Sequence, residues 1–153
     1  MSDPQRPEQP EQIRMRPIGH VVRDVVEPVG ADTIAELRAQ PVHIVIDPAF
    51  SDALLGVEAG SDLLVIFFAH RASDDVLQVH PRGNRERPIR GVFATRSPAR
   101  PNPIGVTTVQ VRTVEGNVLE VVGLDAIDGT PVLDIKSHAP GFDTPYARPT
   151  DEQ

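Results

Sequence analysis

The run Ile104-Gly105-Val106-Thr107-Thr108-Val109-Gln110-Val111-Arg112-Thr113-Val114-Glu115-Gly116-Asn117-Val118-Leu119-Glu120-Val121-Val122 decides how the rest of the chain is read. Two stretches dense in β-branched residues, Ile104 to Val114 and Val118 to Val122, flank Gly116-Asn117. Alternation at a period of two fits half-buried strands, and glycine and asparagine both tolerate the positive φ of a tight hairpin turn. This stretch therefore predicts an antiparallel pair. Working outward, Ile18 to Val26, Val42 to Ile46, Leu63 to Phe68, Val76 to Val79, Ile89 to Ala94 and Val132 to Ile135 read as further strands.

One helix is predicted, from Asp32 to Gln40. Asp32 can cap its first amides, Ile34 and Leu37 share a face, and Pro41 stops the run. A helical turn at Ser51 to Leu55, with Ser51 or Asp52 as its cap, precedes Gly56. Parallel pairing needs crossover helices that the sequence does not supply, so a sandwich or barrel is favoured. The expected architecture is all-β dominated: a small closed or nearly closed β-barrel with one or two short helices.

A chain of 153 residues is the size of one domain. Residues 1–14 are expected to form a disordered leader, 15–142 the folded domain and 143–153 a tail. The 16 prolines punctuate loops, and the absence of cysteine excludes a disulfide framework or a thiolate zinc site and suits a cytoplasmic protein. The longest apolar run, Leu63 to Ala69, is too short to span a bilayer, so no membrane insertion is expected. A net charge of −7 argues against a surface that grips nucleic acid everywhere. The charge is uneven, however, because Arg82 to Arg100 carries six arginines and one acid and the remainder of the chain sums to −12. A local anion site is compatible with that distribution.

The segment Gly91-Val92-Phe93-Ala94-Thr95-Arg96-Ser97-Pro98-Ala99-Arg100-Pro101-Asn102-Pro103-Ile104-Gly105 joins a strand to a loop with three prolines in six residues. Fixed φ at the prolines holds Arg96, Arg100 and Asn102 with little entropy to lose on binding, though a rigid turn without a ligand has the same appearance. In Gly123-Leu124-Asp125-Ala126-Ile127-Asp128-Gly129-Thr130-Pro131-Val132-Leu133-Asp134-Ile135-Lys136, Asp128-Gly129 reads first as a turn. Asp134 and Lys136, two apart on a strand, share a face and form either an ion pair or a proton-handling site. His70, Asp74, Asp75 and His80 have no recognised metal-binding spacing, and no metal is expected. No G-x-G-x-x-G strand-to-helix turn, P-loop or G-x-S-x-G elbow occurs, so Rossmann, ATPase and common hydrolase readings lose support.

Gly91 to Gly105 and Leu124 to Lys136, with Ile18-Gly19, Leu64 to His70 and His80-Pro81-Arg82-Gly83 upstream, resemble the TrmO family over nearly all of Met15 to Phe142. The resemblance implies a small β-barrel that binds S-adenosylmethionine and pairs as a homodimer, with the cofactor near the subunit interface. It implies methylation of the exocyclic nitrogen of threonylcarbamoyl-adenosine in tRNA. Arg96, Arg100, Asn102, Pro103, Ile104, Gly105, Asp128, Gly129, Thr130 and Pro131 are then the expected cofactor-binding residues, and Arg82 and Arg85 the expected substrate-binding ones. Removing a proton from an amide-like nitrogen makes Asp134 or His70 the expected base, with Lys136 orienting the Asp134 carboxylate or the substrate. The acidic remainder of the chain keeps a small-molecule acceptor open as an alternative. A further alternative is a barrel that only binds the cofactor or a related adenosyl compound and serves as a sensor or accessory subunit.

Overall fold

Val42, Ile44 and Ile46 are buried while His43 faces outward, and every second residue is buried again at Leu63, Val65 and Phe67 and at Leu119 and Val121. These rows meet in one core in the computed structural model, which describes residues 11–147. Most of the expected leader, residues 1–10, and the end of the expected tail, residues 148–153, lie outside the described residues. The strands are β1 (Gly19–Val22), β2 (Val42–Ile46), β3 (Asp62–Phe68), β4 (Gln78–Val79), β5 (Arg90–Gly91), β6 (Ile104–Glu115), β7 (Val118–Val122) and β8 (Pro131–Ser137). Six of them close into an antiparallel barrel in the order β1-β2-β7-β6-β3-β8, and β4 and β5 pair with each other outside it. Side chains fill the barrel, as they do in other narrow barrels.

The hairpin forms at Gly116-Asn117, with Glu115 opposite Val118. Only Gly116 takes positive φ, at 59°. Asn117 instead fastens the turn to the end of β2. Its side-chain amide donates to the Ile46 carbonyl at 2.6 Å, and its carbonyl accepts from the Ile46 amide at 2.8 Å.

Several elements are shorter or shifted. Strand geometry from Ile18 ends at Val22, because the next amide, that of Arg23, donates to the Asp128 carboxylate. Ile89 to Ala94 keeps only β5, after which the chain bends into a 3-10 turn, Val92–Ala94, that sinks Val92 into the interior. Helix α1 (Ala31–Ala39) takes Gly30 as its cap residue, so Asp32 falls within the first turn. Its Leu37 is buried and Ile34 half-buried, and the helix ends two residues before Pro41. The later turn runs Pro48–Leu54 and is capped by Asp47, whose carboxylate accepts from the Ala49 amide at 2.9 Å, so it begins before Ser51. A short helix, α2 (Pro140–Asp143), follows β8.

A bulge in β8 decides which face carries its charges. Ile66 pairs with Asp134 but Phe67 with Val132, which leaves Leu133 as an extra residue. Val132 is fully buried, and after the extra residue it is Ile135 that packs on the core. Asp134 and Lys136 consequently face outward.

Candidate ligand-binding cleft

A cavity of about 1090 Å³ lies at the rim of the barrel. Its floor is the start of β6, from Ile104 to Thr108, with Phe67 of β3 beneath. Around it stand His70 and Arg71 after β3, the loop from Phe93 to Asn102, and Asp125 to Ile127 with Thr130 after β7. The loop after β3, the proline-containing loop before β6 and the loop after β7 thus converge on one concave surface, large enough for a nucleoside-sized ligand.

Local chemistry explains each placement. The Pro103 carbonyl accepts from the Ala69 amide at 2.7 Å, which sets the Asn102 loop beside His70. Arg100 donates from its backbone amide to Ser73, and from Nη1 to the carbonyls of Thr95 (3.3 Å) and Ser97 (3.1 Å), bracing its own loop. Arg96 donates from Nη2 to the Val106 carbonyl at 2.6 Å. Arg82 is held with φ at +56°, a conformation costly for a residue with a side chain.

The acidic side of the cleft is Asp125. Thr107 donates its hydroxyl to this carboxylate at 2.8 Å, joining β6 to the following loop. At the mouth, Arg71 grips both carboxylate oxygens of Glu27 at 3.1 Å and ties the loop after β3 to the loop after β1.

Of the residues expected from sequence, His70, Arg82, Arg96, Arg100, Asn102, Ile104, Gly105 and Thr130 line the cleft. Pro103 is buried behind it, and Arg85 lies on the exposed surface with Arg87 and Arg90. Asp128 turns away, because its carboxylate accepts from the Arg23 amide at 3.0 Å. Gly129 and Pro131 line a smaller groove with His20 and Asp47. Asp134 and Lys136 line neither cavity and pair with each other at 2.8 Å, Lys136 being 63% exposed. The hydrogen bond to Asp134, with its negative charge, raises the Lys136 pKa above the ordinary lysine value.

Sequence reasoning missed Arg23, Arg71, Phe93, Thr107 and Asp125. Asp125 stands inside a block already singled out, and its place three residues before the Asp128-Gly129 turn was the available signal. Arg71 and Thr107 carry no local signal, since their partners are distant in the chain.

The barrel is filled by side chains, and the cationic, partly apolar cleft at its rim is formed by the ends of β3 and β6 with the loops around them, the architecture of a β-barrel with a cleft suited to a ligand. The family model described as the tRNA-methyltransferase O N-terminal domain matches residues 28–144, and the chain belongs to that family. A probable S-adenosyl-L-methionine-binding protein of Methanothermobacter thermautotrophicus is 41% identical over 133 residues, covering 87% of this chain and 95% of that protein. A tRNA (adenine(37)-N6)-methyltransferase of Mus musculus is 41% identical over 96 residues, covering 61% of this chain and 22% of the mouse protein. The crystal structure of TrmO from Pseudomonas aeruginosa matches with a TM-score of 0.68 and 30% identity over 90% of this chain. This chain spans 61% of that structure's length.

Proposed function

We propose that this protein is an S-adenosylmethionine-dependent methyltransferase, and that its acceptor is the exocyclic nitrogen of threonylcarbamoyl-adenosine in tRNA. The observation that carries the reading is the composition of the cleft. Arg82, Arg96 and Arg100 suit the carboxylate of the donor, Asp125 suits its ammonium or ribose hydroxyls, and Phe67, Ile104 and Val106 offer apolar wall for a purine. Family membership and the names of the methanogen and mouse relatives support it.

When bound, the donor supplies a methyl group on a cationic sulfur, open to in-line attack. The protein contributes alignment and proton removal. His70 is the proposed base, taking the proton from the attacking nitrogen at an imidazole nitrogen, because it and Asp125 are the proton acceptors among the described cleft residues. Exposed Arg85, Arg87 and Arg90, which follow the cleft-lining Arg82 in the chain, suit tRNA phosphates. Phe93, Ile104 and Val106 leave apolar surface exposed at the rim, 84% in the case of Phe93, which favours a homodimer with the cleft near its interface. A tRNA acceptor fits a cytoplasmic location. Among the described residues no helix is long and apolar enough to cross a membrane.

A small-molecule acceptor is the second reading, favoured by the charge of −12 outside the arginine segment. Incubation with methyl-labelled donor and either bulk tRNA or a metabolite extract tests both. Label in tRNA adenosine supports the first reading, and label in a metabolite alone supports the second. Tight donor binding with transfer to neither leaves a non-catalytic binder.

A further inference from the structure

Arg23 follows β1, yet its side chain reaches inward to the cleft loop. Nη1 donates to the carbonyls of Leu124 at 2.9 Å and Ala126 at 2.8 Å, and Nη2 donates to the Leu37 carbonyl in the last turn of α1 at 2.9 Å. The two loop carbonyls belong to the residues on either side of Asp125. Leu124 is fully buried and Ala126 is 5% exposed, so these carbonyls have little access to water if the guanidinium is lost. Burial lowers the pKa of Arg23, and the nearby negative charge of Asp125 opposes that shift. A guanidinium remains cationic throughout.

We infer that Arg23 is a positioning residue for the donor site: by clamping the carbonyls before and after Asp125 and tying them to α1, it aims the Asp125 carboxylate into the cleft. The inference rests on the donor-binding reading above. The geometry requires arginine, because three carbonyls on two elements are met by the spread donors of a planar fork. A lysine ammonium is compact and cannot span them. With Arg23 removed, Leu124 and Ala126 lose their shared donor, and between the anchors at Gly123 and Asp128 the Asp125 side chain is held by its bond from Thr107.

Calorimetric titration of S-adenosylhomocysteine into the wild type, Arg23→Lys, Asp125→Asn and the double variant tests this. Each single substitution is expected to weaken binding about tenfold, and the double to be no weaker than the worse single, since both act through one carboxylate. Val111→Ala, a core change remote from the cleft, serves as a control for lost stability and is expected to bind as wild type while melting lower. Undiminished binding by Arg23→Lys, multiplicative losses in the double variant, or an equal loss in Val111→Ala overturns the inference. No binding by the wild type overturns the donor reading itself, and the inference with it. Should Arg23→Lys fail to fold, Arg23→Gln, which keeps one amide donor, is read by the same criteria.

Discussion

The ring of Phe67 occupies the space that any side chain at residue 105 would need. The two residues are directly opposite on β3 and β6, and a Cβ built on Gly105 overlaps the far edge of the ring. Glycine here serves close approach, and the ring in turn closes the floor of the cleft. Gly105→Ala is therefore expected to destabilise the protein by about 1–3 kcal/mol through overpacking, measured by urea unfolding. Adding Phe67→Leu is expected to recover part of the loss. Full stability of Gly105→Ala alone counts against this packing.

Thr107 and Asp125 form the second link between the barrel wall and the cleft loop. Thr107→Val keeps the shape and removes the hydroxyl donor. Calorimetry is expected to show S-adenosylhomocysteine affinity falling about three- to tenfold, the range set by losing one hydrogen bond to a charged group only partly shielded from water. An unchanged affinity would separate Asp125 from ligand binding.

Val92 and Phe93 are neighbours with opposite fates, at 2% and 84% exposure. Val92→Ala is expected to cost about 1–3 kcal/mol by leaving a cavity. Phe93→Ser is expected to change subunit unfolding by no more than about 0.5 kcal/mol. Its effect should appear in sedimentation, as weaker pairing of subunits. A Phe93→Ser protein that pairs like wild type speaks against a dimer built on this rim.

How far the sequence could be read depended on how local each cause was. β2 and β7 match their expected limits because alternation in Val42–Ile46 and Val118–Val122 reports burial directly. The bulge at Leu133 left no trace in composition, and it alone sends Asp134 and Lys136 to the outer face. In the site, the arginine and proline loop was legible because its rigidity is written in consecutive residues. Asp128 was legible only as a turn, since the partner that draws it from the cleft is 105 positions away. Asp125 owes its position in a loop to Thr107, in strand β6, and Arg23 is recognisable as a clamp only after the chain has closed.

The Asp134–Lys136 pair makes a pH prediction. The raised lysine pKa means that this pair stabilises the fold fully below the ordinary lysine range and loses its effect as pH rises through the higher, folded-state value. Asp134→Asn is expected to melt slightly lower than wild type at neutral pH, with the two curves converging in strongly alkaline buffer. A difference that persists at high pH excludes the ion pair as its source.

The location of the donor can be read most directly by hydrogen exchange with and without S-adenosylhomocysteine. Protection is expected to rise in residues 69–72, 93–108 and 125–127, which meet around the cleft. Protection confined to the smaller groove, at residues 17–20, 45–48 and 129–131, or absent throughout at saturating ligand, would contradict the account.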